Sequence, residues 1–195
     1  MSPATSEITL HGIAAAPGIV MGPAFRYTPP RLEVPDRAPA GAVEELARFR
    51  AACGQARGEL EALHRQVAAR AGEETAAIFE AHAMMLDDPA LEEAVQAHLD
   101  GGAIAEAAVK AASEEIAAMM AAMEDEYFAA RAADVRDVGG RVLRVLLGLP
   151  DTSLGQISEP VIILAQDLAP SDTAGFDPAL TLGFVTASGG LTSHT

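Results

Sequence analysis

The residues best suited to chemistry stand at the end of the chain, in the run Gly189-Gly190-Leu191-Thr192-Ser193-His194-Thr195. Glycines let the backbone approach a ligand closely, and Thr192 or Ser193 could N-cap a following helix. A histidine placed there would hold a phosphate group near exposed backbone N–H groups at a positive helix end. Neutral imidazole is also a competent nucleophile near pH 7. From these residues alone, a phosphoryl-accepting His194 and an ordinary loop histidine are both open.

The charge balance of the chain narrows the classes of function. Its 195 residues include 28 Asp and Glu against 13 Lys and Arg, a formal net charge of -15. Nucleic acids and anionic membranes attract basic surfaces, so this balance argues against both and favours a basic partner. The one cysteine, Cys53, excludes an internal disulfide and a cysteine-rich zinc site. No signal peptide or membrane-spanning run is visible, so we expect a cytoplasmic protein.

Strand patterns occupy both ends of the chain and must position the final run. Short apolar stretches with Gly and Pro punctuation predict strands near the beginning and near the end. Pro170-Ser171-Asp172-Thr173 could open a short helix between the last two strands. The predicted strands cover residues 8–13, 19–21 with 24–25, 161–164 and 182–186.

The middle of the chain has the apolar spacing of helices. One apolar seam runs from Leu46 to Val67 and includes Cys53, a second helix covers residues 73–86, and Asp88 followed by Pro89 predicts the start of a third. A long helical stretch follows from residue 103 to 148, with Gly139-Gly140 as a point where it could bend or break. The methionines of this stretch are predicted to lie in the core or at helix contacts: Met119, Met120 and Met123.

The order of strands, helices and strands predicts the domain organisation. Neither strand zone is large enough for a sheet of its own. We therefore expect an α+β protein in which one α/β domain, residues 1–35 plus 151–195, is interrupted by a helical bundle, residues 36–150. Short connections favour antiparallel packing of neighbouring helices.

Five segments of the chain together carry a family pattern. They are residues 12–19, residues 77–82 with 85–88, residues 125–127 with 131–139, residues 168–173 and residues 189–195. In this order they make the chain resemble the amino-terminal region of the enzyme I family, the phosphoenolpyruvate–protein phosphotransferases of the sugar phosphotransferase system. The final run alone would also fit pyruvate phosphate dikinases and phosphoenolpyruvate synthases, and the helical segments separate enzyme I from those.

The resemblance implies a function and a division of labour. His194 would be the catalytic nucleophile that takes the phosphoryl group from phosphoenolpyruvate and passes it to the carrier protein HPr, with Gly189, Gly190, Thr192 and Ser193 supporting the phosphoryl site. The α/β phosphohistidine domain would swivel, and it is truncated here. A carboxy-terminal barrel outside this chain would bind phosphoenolpyruvate and Mg²⁺ and form a homodimer. We therefore expect an amino-terminal fragment that is not phosphorylated by phosphoenolpyruvate alone.

The same resemblance implies that the helical bundle binds HPr, through Glu73, Glu74, His82 and Arg131. Between residues 73 and 130 there are 14 acids and one base, Lys110, which suits a basic carrier. Other readings of these residues stay open. The acids could be a solvated helix surface, His82 could be partly buried packing, and Arg131 and Arg136 could pair with Asp134 and Asp137.

Two departures from the family pattern concern the phosphoryl site. The family usually has Thr where this chain has Ala169, in the turn facing the active histidine, and Arg where this chain has Leu191. Three alternative functions remain: the nitrogen-related paralogue of enzyme I, the multiphosphoryl-transfer subunit of dihydroxyacetone kinases, and a module that only docks HPr. His11, His64 and His98 show no ligand spacing, so no metal site is predicted in this chain.

Overall fold

The computed structural model of the chain describes residues 10–150 and 157–188. Among these residues, five longer helices form a bundle, and three strands with one short helix form a smaller unit, here called the α/β part. The predicted fold, a helical bundle inserted between strands of one sheet, is confirmed; the domain boundaries stay a prediction. The elements are β1 (Ala24–Arg26), α1 (Ala42–Ala71), α2 (Glu73–Leu86), α3 (Pro89–Asp100), α4 (Ala105–Ala121), α5 (Glu126–Leu146), β2 (Val161–Ala165), α6 (Pro170–Ala174) and β3 (Thr181–Thr186).

The predicted seam of α1 is the spine of the bundle. Phe49, Ala56 and Leu60 are buried in the main core cluster, and Cys53 packs against it partly buried. Burial raises the pKa of the Cys53 thiol to about 12. A thiol that stays protonated near neutral pH is a packing group and a poor nucleophile.

The limits of α2 and α3 follow from their capping residues. Gly72 takes φ 90 between α1 and α2, a backbone conformation that favours glycine. The Asp88 side chain accepts a hydrogen bond from the backbone N–H of Ala90, and Pro89 occupies the first helical position. The predicted span of α2 and the predicted start of α3 are confirmed.

The region from residue 103 to 148 contains two helices, where the sequence predicted one. α4 ends at Ala121, and the Asp125 side chain accepts a hydrogen bond from the backbone N–H of Tyr127. This cap starts a new helix, α5, because the Asp125 carboxylate takes the hydrogen bond of the Tyr127 N–H. In a continuous helix that N–H would bond to a carbonyl of the preceding turn. α5 then runs unbroken through Gly139 and Gly140, so no break occurs there.

The methionines of this region are more exposed than predicted. Met119 is 63% exposed and Met123 is 50% exposed, so placing them in the core was wrong. Met120 does pack, partly buried, against the small cluster of Ala117, Ala132 and Val135. The difference arises because the chain turns between α4 and α5, which leaves Met119 and Met123 on the outer side.

A buried ionic cluster ties the connection after β1 to the bundle. Glu45 and Glu106 are almost completely buried, and each pairs with both Arg37 and Arg48 at 2.5–2.8 Å. The Glu45 carboxylate also accepts hydrogen bonds from the backbone N–H groups of Ala40 and Ala105. Buried carboxylates need such partners, so the cluster fixes the start of α4 and the chain before α1 against α1.

The α/β part is a parallel sheet in the order β1-β2-β3. Its core contains Tyr27, Ile163 and Phe176. The predicted strands at 24–25, 161–164 and 182–186 and the predicted short helix are confirmed within the elements given above. Those at 19–21 and in the described part of 8–13 are wrong, because these residues join no strand of the described sheet. Val20 instead brings its side chain next to Gly183 of β3.

Gly139 and Gly140 provide a matched pair for testing the contact between α4 and α5. A Cβ at Gly139 would lie 2.1 Å from Ser113 Oγ, whereas one at Gly140 would have Leu32 Cδ1 as its nearest neighbour, at 3.8 Å. We expect Gly139→Ala to lower the free energy of unfolding by about 1–3 kcal/mol through overpacking. Gly140→Ala should be neutral or stabilising by up to about 1 kcal/mol, since Ala favours helix. Urea unfolding measures both, and equal effects would contradict the close contact.

Candidate functional site

The predicted phosphoryl site follows the last strand of the sheet. His194, Gly189, Gly190, Thr192 and Ser193 lie outside the described residues. The chain that leads to them is described: Ala187 N–H donates to the Ala165 carbonyl and Ser188 N–H to the Gln166 carbonyl. Ser188, the last described residue, therefore lies at the carboxyl edge of the parallel sheet, beside the connection from β2 to α6, and such edges are where α/β sheets bind ligands.

A buried histidine joins α2 to α5. His82 is completely buried; its Nε2 lies 3.3 Å from Asp134 Oδ1 and its Nδ1 lies 3.8 Å from Asp137 Oδ2. The Phe79 ring meets the imidazole edge-on at a centroid distance of 6.3 Å. Asp134 and Asp137 are three residues apart and share one face of α5. The structure thus places His82 inside the bundle, where it contacts no partner directly.

Arg131 lies three residues before Asp134, on the face of α5 that carries Asp134 and Asp137. Its guanidinium donates to Asp134 Oδ2 at 3.0 Å and to the Tyr127 hydroxyl at 3.3 Å, and it stands 5.0 Å from the centre of the Tyr127 ring. The pairing with Asp134 is the one that the sequence left open for Arg131. Arg136 instead pairs with Glu114 of α4 at 3.0 Å; pairing it with an α5 aspartate was wrong, because Asp134 and Asp137 face α2.

The environment of Asp134 keeps it ionised. Burial raises the pKa of this carboxyl, but the approach of His82 and Arg131 lowers it more, so the pKa lies below its usual value. In turn, the hydrogen bond to Asp134, with that to Tyr127, raises the pKa of Arg131. The ion pair therefore persists over the neutral range, and one side of it faces solvent.

The exposed side of α2 carries acids and one large apolar side chain. Glu73, Glu80 and Met84 are exposed at helical spacing and form one stripe, and Glu74 is exposed beside Glu73. Glu73 also approaches His64 of α1, at 3.4 Å. The next residue, Met85, packs with Met120 against the cluster of Ala117, Ala132 and Val135.

The structure identifies residues near the candidate site that were not predicted as site residues from the sequence. Asp134 and Asp137 lie beside His82, and Met84, Met119, Met123 and Tyr127 are exposed. The spacing of Arg131, Asp134 and Asp137 at intervals of three was a usable signal, since it places all three on one side of a helix. The exposure of the methionines had no such signal in the sequence.

The described residues contain neither a metal-ligand cluster nor a helix suited to span a membrane. In residues 10–150 and 157–188, no group of three or more His, Cys, Asp or Glu is placed to hold a metal ion. Over the same residues, no helix combines the length and apolarity that a membrane span needs.

Two family models match the chain in sequence order. Residues 11–131 match "PEP-utilising enzyme, N-terminal" and residues 157–195 match "PEP-utilising enzyme, mobile domain". The first match spans β1 to the start of α5, and the second includes β2, α6, β3 and the final run. The chain belongs to the family of PEP-utilising enzymes.

Within that family its similarity is to enzyme I, as the sequence predicted. It is 42% identical to a phosphoenolpyruvate-protein phosphotransferase of Bacillus sp. (strain S) over 100% of this chain and 34% of that protein. The corresponding protein of Bacillus subtilis (strain 168) is 38% identical over 95% of this chain and 33% of its own length. The chain thus spans about a third of the length of these relatives.

Solved structures of enzyme I proteins are also similar to this chain. An NMR solution structure of enzyme I superimposes with a TM-score of 0.71 and 39% identity, covering 94% of this chain and 75% of that one. The amino-terminal domain of "Enzyme 1 - Nitrogen" superimposes with a TM-score of 0.62 and 30% identity, covering 92% of this chain and 74% of that one.

The lowered pKa of Asp134 predicts a specific acid sensitivity. A carboxyl whose pKa is lower in the folded state contributes stability above its unfolded pKa and loses that contribution as pH falls through the folded pKa. The free energy of unfolding should therefore fall as the pH decreases below about 4. Asp134→Asn should make this pH dependence less steep and should lower the free energy of unfolding at pH 7. Urea unfolding between pH 3 and about pH 5.5 measures the slope; an unchanged slope in Asp134→Asn would contradict the assignment.

Proposed function

We propose that this chain is the phosphoryl-carrying and carrier-docking part of a phosphoenolpyruvate–protein phosphotransferase. The observation that carries the proposal is the order of the matched regions. The bundle falls mainly in the amino-terminal model of PEP-utilising enzymes, and the Gly-Gly-Leu-Thr-Ser-His run falls in the mobile-domain model. The names of the similar relatives support it.

In this proposal His194 is the nucleophile. A ring nitrogen attacks the phosphorus of phosphoenolpyruvate, an N–P bond forms, and the P–O bond to enolpyruvate breaks with its electron pair leaving on oxygen; protonation of the enolate gives pyruvate. The phosphoryl group then passes to a histidine of HPr, with one N–P bond broken and another formed. Such transfers need positioning and charge stabilisation more than covalent help, and Gly189, Gly190, Thr192 and Ser193 would supply backbone and hydroxyl donors.

The surface proposed to dock HPr is formed by α2, the turn after α4 and the start of α5, and is here called the docking face. It combines the exposed acids Glu73 and Glu74, the exposed Met84 and Met119, and Arg131. Acids speed encounter with a basic partner, and exposed apolar side chains provide area to bury on contact. Methionine suits such a surface because its flexible chain adapts to the partner.

His82 enters the proposal as a positioning residue. It is buried, so its contribution to HPr binding would run through Asp134, which lies between His82 and Arg131. The imidazole fixes the Asp134 carboxylate on one side while Arg131 occupies the other oxygen. Arg131 is thereby held at the edge of the docking face instead of swinging free in solvent.

Mg²⁺ and phosphoenolpyruvate belong elsewhere in this proposal. The described acids and histidines do not form a metal-ligand group, and we derive no step through a metal ion. In the complete enzyme both would be bound outside this chain, in a barrel that also forms the homodimer. A cytoplasmic location is part of the same prediction.

Arg131 and Arg136 form a matched pair for testing the docking face. Both lie on α5 and both pair with an acid, but Arg136 pairs with Glu114 of α4. We expect Arg131→Ala to weaken HPr binding about tenfold, the size of a moderate interface hot spot, and Arg136→Ala to change it by less than about twofold. Calorimetric titration with HPr from the same organism measures both, and binding should weaken as salt rises.

Three outcomes of that titration would count against the docking face. Equal effects of Arg131→Ala and Arg136→Ala would remove Arg131 from it. Failure of the folded chain to bind HPr would remove the carrier. Binding of a nitrogen-branch carrier in preference to HPr would favour the nitrogen-related paralogue, towards which the 0.62 structural match points more weakly.

The role of His194 is tested by the reverse of the second step, the transfer of a phosphoryl group from phosphorylated HPr to this chain. Because transfer between two histidines is nearly symmetric in chemistry, phosphorylated HPr should label this chain. We expect His194→Ala to abolish the label and His98→Ala, at an exposed ion pair with Glu115, to leave it intact. The same chain given phosphoenolpyruvate and Mg²⁺ alone should stay unlabelled. A label on His194→Ala, located by mass spectrometry, would contradict the assignment.

A further inference from the structure

The α/β part contacts the bundle through a small set of groups around α6. Asp137 Oδ2 of α5 accepts hydrogen bonds from Ser171 Oγ at 2.9 Å and from the Ser171 backbone N–H at 3.4 Å. The Arg70 guanidinium of α1 donates to the Phe176 carbonyl at 3.3 Å. Ala174 is buried in the main core cluster of the bundle. The described contact is thus partly polar, with Ala174 as an apolar component, and partly polar contacts of this kind permit relative motion of domains.

We propose that the Asp137–Ser171 pair is an interdomain latch, which holds the α/β part in one orientation on the bundle and whose loss frees that orientation without unfolding either side. A carboxylate that accepts two hydrogen bonds from one residue binds it more strongly than a neutral acceptor would. The pair also fixes direction, since hydroxyl and amide must both point at one oxygen. Neither group belongs to the core of its own unit.

On the bundle side, Asp137 lies beside a buried imidazole. Asp137 Oδ2 is 3.8 Å from His82 Nδ1, too far for a hydrogen bond, and the other nitrogen of His82 faces Asp134. The imidazole is completely buried and packs against Phe79. Among the described contacts of Asp137 Oδ2, the hydrogen bonds are therefore those that it accepts from Ser171 of α6.

The α6 side is held to the sheet. The Asp172 carboxylate accepts from the Ala169 backbone N–H at 3.0 Å and from the Tyr27 hydroxyl at 2.5 Å. Tyr27 follows β1 directly, and its backbone N–H donates to the Leu164 carbonyl of β2. Ser171 is thereby tied to the sheet through its neighbour Asp172, so opening the latch would move α6 together with the described strands.

The test compares the orientation of the two units in the free chain, so it does not depend on HPr or on the proposed function. Residual dipolar couplings are measured for the bundle and for the α/β part and fitted separately. In the unmodified chain both sets should give one common alignment. In Asp137→Ala and in Ser171→Ala we expect the α/β part to show weaker, separate alignment, corresponding to an open population raised about tenfold or more.

Two matched variants keep the test specific. Arg136→Ala removes an exposed ion pair next to Asp137 in sequence, and Thr173→Ala removes a hydroxyl of α6 that bonds only within α6, to the Pro170 carbonyl, among its described contacts. Both should keep the common alignment. Ser171→Ala leaves the bundle core untouched, so bundle couplings that still fit the structure verify folding. A common alignment retained in both Asp137→Ala and Ser171→Ala would overturn the latch.

Discussion

The burial of one imidazole in an aliphatic bundle constrains much of this structure. His82 has no access to water, so its nitrogens must find polar partners inside. α5 places Asp134 at 3.3 Å and Asp137 at 3.8 Å from these nitrogens, so the face of α5 that carries both aspartates turns toward α2. The buried Asp134 and the partly buried Asp137 in turn have donors of their own. Arg131 from the surface and Ser171 from the α/β part supply these, so a single buried ring connects an outer surface with a neighbouring unit.

The charges of this acidic chain fall into two populations with different roles. Glu45, Glu106 and Asp134 are buried and paired, and removing a partner from such a group is far more destabilising than removing an exposed charge. The remaining acids of α2 and α3 lie mostly on the surface, where they contribute long-range attraction for a basic partner and little to folding. Net charge alone could not separate the two, because the separation depends on which arginines the fold brings close.

Sequence reasoning succeeded where local chemistry decides the structure and failed where long-range contacts decide it. The span of α2, the Asp88-Pro89 start of α3 and strands β2 and β3 follow from capping and from short apolar runs. The break before α5 depends on one Asp125 side chain competing with helix continuation, which periodicity cannot detect. Segment 19–21 has strand composition, yet it joins no strand, and Val20 contacts Gly183 through its side chain. For the site, the motif suffices to predict His194, which stays a prediction, whereas the contact of Asp137 with Ser171 could be found only from the fold.

A phosphoryl carrier that serves two partners cannot be held rigidly to either. Under the proposed function, His194 would meet a donor site outside this chain and a carrier on the bundle, so the unit that bears it would have to leave its resting position and return. A large apolar interface would make that departure slow, whereas a contact of a few hydrogen bonds exchanges for water at small net cost. The Asp137–Ser171 pair has that character, since both groups can be solvated once separated. The firm contacts, at Tyr27 within the α/β part and at His82 within the bundle, lie on either side of it. The hydrogen bonds between the two units are therefore the point where motion costs least, and rigidity within each unit preserves the geometry that transfer requires.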